Sequence, residues 1–432
     1  MNQQADSREQ AFLILKEVLD NGTTLENAFE KHSRGVSSVD KRFIRHLTTT
    51  TLRHLGQLDR IIDHSTKTKL GNTQMAVRHL LRLGICQLLF TQIPSHAAVN
   101  TTVNLMDQSI GKKLRYLKNT VNAVLRKVDR DRAELVKKYG NSRHNIPGWM
   151  LNRWDSRYGK ETVKEIITQI LQEPPLDLAL LSQADVDEWA VKLNGEKLPL
   201  GGIRVKNAGN IKDLPGYEEG LWWVQDLAAQ LPAHLLGARK DDELLDICAA
   251  PGGKTLQSAA KGIKVTALDI SRKRLERLHE NLRRLSLKAG IVELDILNFE
   301  PKRQWQYILL DAPCSSTGTI RRHPEILWGQ REDKIGSLSI LQAKMLDKAA
   351  ALLAPGGILI YCTCSLEKEE GPDQINALLE RSSTLKRKVI SPGELPGLEQ
   401  SILQTGDVQT LPHYFSDGMD GFFISRLIKD KG

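Results

Sequence analysis

Leu244-Leu-Asp-Ile-Cys-Ala-Ala-Pro-Gly-Gly-Lys-Thr255 runs from an apolar strand through a small-residue turn into the helical pattern Thr255-Leu-Gln-Ser-Ala-Ala. Gly252 and Gly253 permit positive φ and a close backbone approach, and the free N–H groups of the helix that follows face whatever polar ligand the turn holds. The unit predicts a nucleotide-cofactor cradle. Two better-known loops compete for it. A Walker A loop requires Gly-x-x-x-x-Gly-Lys-Ser/Thr; Gly253-Lys254-Thr255 supplies its end, but Cys248 stands where the first glycine belongs. The dinucleotide fingerprint Gly-x-Gly-x-x-Gly is absent.

Downstream, Val265-Thr-Ala-Leu-Asp269, Ile291-Val-Glu-Leu-Asp295 and Tyr307-Ile-Leu-Leu-Asp311 repeat the apolar run closed by a carboxylate. With Asp246, four strands read as ending in aspartate, and the carboxyl ends of strands in an open α/β sheet form the ligand crevice. Asp269 lies at the spacing at which such folds place the acid for ribose hydroxyls. Each Asp also suits the cap of the next helix.

Two cysteine motifs complete the pattern. Asp311-Ala-Pro-Cys314-Ser-Ser-Thr-Gly318 follows the fourth strand, and Tyr361-Cys-Thr-Cys364-Ser follows the apolar run Gly357-Ile-Leu-Ile-Tyr361. In this order, after Cys-Ala-Ala-Pro-Gly-Gly-Lys-Thr, they resemble the RNA cytosine-5 methyltransferases of the Sun/Fmu type. The resemblance implies S-adenosylmethionine as cofactor, held by Cys248, Ala249, Ala250, Pro251, Gly252, Gly253, Lys254, Asp269, Asp295 and Asp311. It also implies that Cys364 is the nucleophile, that Cys314 assists the later elimination and that Asp311 holds the base. The chemistry explains the need for thiols. Carbon 5 of cytosine is too weak a nucleophile to take a sulfonium methyl unaided, so a thiolate must first add to carbon 6. A free thiol is mostly protonated at neutral pH, so the attacking cysteine needs surroundings that stabilise its anion. Cys86, Cys248 and Cys362 read as small buried hydrophobes. No metal site is expected, because Cys362-x-Cys364 has no second pair or histidine at zinc spacing.

Charge is distributed unevenly over the 432 residues. The formal net charge is +9, and residues 1–140 hold 23 Lys and Arg against 13 Asp and Glu, so essentially the whole excess lies in the first third. A polyanion is the expected partner, although solvated helix faces carry similar charge. That third reads as all helix, in Ala11–Leu19, Lys41–Leu47, Val77–Phe90 and Leu117–Val128, with Ser95 as the cap of a further helix after Ile93-Pro94. It resembles the RNA-binding domain of the antitermination factor NusB, which members of the methyltransferase family carry in front of the catalytic part. Arg115, Lys118, Arg126 and Lys127 are candidate phosphate contacts or plain solvated charges.

The breaker-rich stretch 139–148 predicts a linker. Beyond it, Trp154 and Tyr158 beside Arg153 and Arg157 suit base stacking, or core or interdomain packing. Where the family has an arginine and an asparagine after its diproline, this chain reads Leu176-Asp-Leu-Ala-Leu-Leu-Ser, which puts an RNA contact there in doubt. Arg321-Arg-His-Pro-Glu325 reads as a basic loop, free to meet phosphates or merely solvated. Glu367-Lys-Glu-Glu and Asn376-Ala-Leu-Leu-Glu predict one further helix.

Three parts are therefore expected: a NusB-like all-α RNA-binding domain over 1–140, linker helices with a small mixed α/β subdomain over 141–219, and a Rossmann-like α/β methyltransferase domain with a seven-stranded sheet over 220–432, its last strand antiparallel. The implied activity is methylation of carbon 5 of a cytosine in 16S ribosomal RNA. The rivals are a non-catalytic RNA-binding or assembly factor on the same fold and an enzyme acting on transfer RNA. The sparse cysteines, the start Met1-Asn-Gln-Gln-Ala-Asp and the lack of any apolar run of membrane-spanning length predict a cytoplasmic protein, expected as a monomer.

Overall fold

The structure, a computed structural model, describes residues 7–431; Met1-Asn-Gln-Gln-Ala-Asp, read above for the absence of a leader, lies outside the described residues. The chain forms two units. One runs to Leu171 and includes Arg322–Gln330; the other comprises Gln172–Arg321 and the chain from Arg331.

The first unit is all helix. Apolar stripes on Ser7–Asn21, Ser38–Arg53, Met75–Phe90 and Lys118–Arg130 meet in one core that includes Phe12, Leu47, Leu80 and Leu125. Ser95 is the first residue of the helix Ser95–Gln108 and not its cap, since Pro94 holds that position and the Ser95 hydroxyl donates to Asp129 Oδ1 at 2.6 Å. Stretch 139–148 is packed, unlike the linker its composition predicts. Its turn Ser142–Asn145 lies on the helix Leu55–Ser65, with Asn145 Nδ2 donating to Gln57 Oε1 at 2.8 Å and Gln57 N donating to Asn145 Oδ1 at 3.0 Å. Gly56 makes this approach feasible, because a Cβ there would lie 1.9 Å from the His144 carbonyl oxygen. The helices Gly148–Tyr158 and Lys160–Ile170 belong to the same unit, so it extends past residue 140. Of the two readings of Trp154, packing is the one observed, as the side chain is fully buried.

Arg322–Gln330 also packs in this unit. Leu25 N donates to Glu325 Oε1 at 3.2 Å, and Trp328 Nε1 donates to Leu52 O at 2.8 Å. The segment is therefore not a free basic loop. Arg321, in the second unit, is 1% exposed and pairs with Asp226 at 2.7 Å. A guanidinium buried in this way needs its carboxylate and is not available to a phosphate.

The second unit holds two sheets. In the smaller, β1 (Leu176–Leu180), β2 (Glu196–Lys197), β3 (Ile203–Val205) and β4 (Trp222–Val224) pair antiparallel in the order β2-β3-β1-β4. Leu178 pairs with Val224, so this sheet runs past the expected boundary at 219. Asp177, just after the diproline, is buried against Arg204 at 2.7 Å and serves the sheet.

The larger sheet contains β5 (Glu243–Ile247), β6 (Lys264–Asp269), β7 (Gly290–Glu293), β8 (Trp305–Asp311), β9 (Leu353–Thr363), β10 (Leu385–Arg387), β11 (Val408–Gln409) and β12 (Phe423–Lys429). Seven form one row, β10-β12-β9-β8-β5-β6-β7, and β11 pairs with β12 off that row. β5 to β9 run parallel, and β12 lies antiparallel to β9, as expected of the final strand. Successive side chains alternate between two cores. Leu244, Leu309 and Ile360 enter one, and Leu245, Leu310 and Tyr361 enter the other. Both faces are covered, which is why these strands read as continuous apolar runs. Strand order reverses at β5, whose neighbours are β6 and β8, and a ligand crevice belongs at such a point beyond the carboxyl ends.

Candidate active site

The turn after β5 is built around two positive φ angles, 61° at Cys248 and 112° at Gly252. A Cβ at Gly252 would stand 2.3 Å from Leu278 Cδ1, so only glycine lets the helix Gly253–Ala260 start this close to its neighbour. Asp269, at the end of β6, ties the turn down. Ala250 N donates to its Oδ2 at 3.1 Å and Ser271 N to its Oδ1 at 2.8 Å, while the Arg274 guanidinium donates to the Ala250 carbonyl. The cap of the helix Arg272–Arg284 is Ser271, not the aspartate, which instead holds the turn in shape.

The other strand-end carboxylates differ in placement. Asp246 lies inside β5, fully buried beneath the turn, and accepts from Thr255 Oγ1 at 2.6 Å. Burial pushes its carboxyl up to about 7, and its Oδ1 has no protein partner among the described residues. Asp295 lies two residues beyond β7 and accepts from Leu297 N at 3.0 Å, capping a short turn. Asp311 closes β8, as expected. Its Oδ2 meets Lys254 Nζ at 2.6 Å and its Oδ1 lies 3.5 Å from Cys362 Sγ. Lys254 is therefore neither a surface charge nor an unpaired amine. Burial works against its charge, but the neighbouring carboxylates outweigh it and hold the ammonium above its ordinary range.

The two motif cysteines, fifty positions apart, meet. Cys314 Sγ and Cys364 Sγ lie 3.4 Å apart, and the Ser316 hydroxyl is 3.5 Å from Cys364 Sγ. Their hydrogen-bond contact lowers the Cys364 thiol despite its burial and raises that of Cys314. The pair thus shares one readily lost proton. Burial raises Cys248 and Cys362, and raises Cys86 to about 12, which makes these poor nucleophiles.

Cys248, Asp269, Asp295, Asp311, Cys314 and Cys364 line one cleft of about 470 Å³. Ala249, Ala250, Pro251, Gly252, Gly253 and Lys254 shape the turn beside it and are not part of its wall. Lining groups that escaped the sequence include Ser316, whose hydroxyl lies within the Cys314 motif, Arg274, and Leu341 and Met345, which form an apolar wall from the helix Glu332–Leu352. Among the described residues no group of three or more His, Cys, Asp or Glu side chains could hold a metal ion, and no helix is long and apolar enough to cross a membrane. The arrangement supplies a nucleophilic sulfur, a second sulfur in proton contact with it, and a carboxylate in the same wall.

Residues 233–428 match the family model described as 16S rRNA methyltransferase RsmB/F, and residues 5–130 match the NusB family. Ribosomal RNA small subunit methyltransferase B of Escherichia coli O157:H7 (strain EC4115 / EHEC) is 34% identical over 444 residues, covering 99% of this chain and 100% of that protein. The chain belongs to the RsmB/F family. The protein of that name from Cronobacter sakazakii is also 34% identical, over 99% of this chain and all of its own length. Two solved structures share the fold: PH0851, with a TM-score of 0.77 at 23% identity over 98% of each chain, and NSun6 from Pyrococcus horikoshii with SFG, with a TM-score of 0.56 at 20% identity over 66% of this chain and 99% of that one. As an RsmB/F member the chain is an S-adenosylmethionine-dependent rRNA methyltransferase with a NusB domain in front, as its motifs led one to expect.

The turn fits that cofactor: the glycine cradle, the free start of an eight-residue helix and the carboxylates of the cleft offer donors and acceptors to a polar ligand. In this RsmB/F chain Gly252→Ala is expected to lower stability by roughly 1–3 kcal/mol through strain and the Leu278 clash. It should also weaken S-adenosylmethionine binding about tenfold, a loss of about 1.4 kcal/mol. Melting curves and titration calorimetry measure the two effects.

Proposed function

We propose that the enzyme methylates carbon 5 of a cytosine in 16S ribosomal RNA through a covalent bond between Cys364 and carbon 6. Contact between the Cys314 and Cys364 sulfurs in the wall of the cleft carries this reading. Two touching thiols of opposite proton affinity suit a reaction that needs one sulfur as nucleophile and another to exchange a proton. In this scheme Cys364 adds to the ring and makes carbon 5 enamine-like. Asp311, held by Lys254 and in the same wall, orients the base at its N3 and exocyclic amine. S-adenosylmethionine supplies an electrophilic sulfonium methyl group when bound. Cys248, Asp269 and Asp295 would contact it from the wall, with the turn of Ala249, Ala250, Pro251, Gly252, Gly253 and Lys254 beside it. The target base must be unstacked to enter such a cleft.

The basic first third is assigned to rRNA binding. Arg115 and Lys118 are both engaged locally with Asp107, and Arg126 with Asn122, so phosphates would have to compete for them. The parts proposed by role remain 1–140 for RNA, 141–219 as the joining part and 220–432 for transfer. Bisulfite sequencing of ribosomal RNA from cells with and without the gene tests the reading. One 16S cytosine should lose its protection in the deletion strain and regain it on complementation. An unchanged 16S pattern would remove the proposed site, and a change in transfer RNA alone would favour the rival substrate.

A further inference from the structure

Between the two cysteine segments lies a carboxylate to which the scheme above gives no task. Glu370 is fully buried. Ser315 N donates to its Oε1 at 2.9 Å and Gln342 Nε2 to the same oxygen at 3.0 Å, while Ser365 Oγ donates to its Oε2 at 2.6 Å and Ser315 Oγ to that oxygen also. Its backbone carbonyl accepts from Tyr361 OH at 2.9 Å and Thr363 Oγ1 at 3.0 Å. Ser315 directly follows Cys314 and Ser365 directly follows Cys364. One side chain therefore grips both cysteine segments, and the helix Glu332–Leu352 through Gln342.

We propose that Glu370 positions the cysteine pair: its buried carboxylate ties the segment after Cys314 to the segment after Cys364 and sets a negative charge beside the Cys314 thiol. The inference rests on the assignment of these cysteines above. Four hydrogen-bond donors surround the two oxygens, and none is an ammonium or a guanidinium, so hydrogen bonds carry the compensation that a buried charge demands. Uncharged donors leave more of the field in place than an ion pair would. That field disfavours a thiolate at Cys314 and is one reason its thiol is raised. The other titratable groups facing the pair are Asp311 and Lys254, which partly cancel each other, and Tyr361 and Cys362 on β9, both driven up by burial. Glu370 thus adds a buried anion, held by uncharged donors, to the Cys364 contact and the burial that keep the proton on Cys314.

Thiol alkylation tests this without RNA or methyl transfer, so its outcome is independent of whether Cys364 proves to be the nucleophile. The full-length protein is treated with iodoacetamide across a pH series, and modification of Cys314 and Cys364 is read separately by mass spectrometry. Glu370→Gln should move the Cys314 midpoint down by about one pH unit, a tenfold rise in thiolate at fixed pH, and narrow the gap between the two sulfurs. Glu370→Asp, which keeps the charge, should restore most of the gap; a purely structural tie predicts no such recovery. If Glu370→Gln does not fold, Gln342→Met gives the opposite sign, since removing a donor strengthens the field and should raise the Cys314 midpoint. An unchanged gap in folded Glu370→Gln, or an unmoved midpoint in Gln342→Met where that variant carries the test, overturns the proposal.

Discussion

Replacing Cys364 with alanine is expected to lower methyl transfer by on the order of 10⁴-fold or more while leaving S-adenosylmethionine binding unchanged. The reasoning begins with the ring. Carbon 5 becomes nucleophilic only when a donor has added at carbon 6, and without that bond the enzyme retains only the positioning of its substrates. Of the three cysteines in and beside the cleft after β8 and β9, only Cys364 has a lowered thiol, through its hydrogen-bond contacts with Cys314 and with Ser316 at 3.5 Å; Cys362 is buried and raised. Its hydrogen-bond contacts are with Cys314 and Ser316, on the segment after β8, so the substitution is expected to remove the proposed nucleophile and spare the cradle. Transfer of a labelled methyl group to rRNA, with calorimetry of cofactor binding on the same preparation, separates the two. Methylation at a tenth of the normal rate or better in Cys364→Ala would assign the nucleophile elsewhere.

The parts legible in the sequence are those whose cause is local. The turn Cys248–Lys254 shows itself because its glycines sit between a strand and a helix, and a positive φ with a 2.3 Å clash leaves no alternative to glycine at position 252. The cysteine motifs were legible for the same reason, as short segments at the carboxyl ends of apolar strands. Placement that depends on distant partners was not. Asp246 closes an apolar run, yet ladder pairing to Ala267 and Leu309 puts it inside β5, and no local pattern carries that register. Arg321 begins a stretch read as a basic loop, open to phosphates or solvent, but its partner Asp226 is 95 positions away and makes it a buried ion pair. Glu370 sits in Glu367-Lys-Glu-Glu, which reads only as part of a further helix; its grip on Ser315 spans 55 positions. Stretch 139–148 has the composition of a linker, but Gly56, more than eighty residues earlier, lets it pack. In each case a polar or steric partner far along the chain overrode a sound local expectation.

Cys314→Ala should instead allow the first half of the reaction and block the second. In the resting pair the Cys314 proton is held by its hydrogen bond to the Cys364 sulfur and by that sulfur's charge, with burial adding to both. In the proposed adduct the Cys364 sulfur is a neutral thioether, so its negative charge and its strong pull on the Cys314 proton are lost, while burial and the Glu370 carboxylate remain. Cys314 would then give its proton to solvent in the cleft more readily, and its thiolate would take the proton on carbon 5 as the ring double bond re-forms and Cys364 leaves as a thiolate. Adduct formation thereby produces the base that ends it. Loss of a positioned base slows such a step by about 10²–10⁴-fold, so Cys314→Ala should accumulate an RNA-linked protein band on denaturing gels that depends on Cys364 and on S-adenosylmethionine. The band should disappear in the double variant. Wild-type turnover with no linked band would give the base role to another group, and Asp311, in the same wall and already paired with Lys254, would be the next to replace.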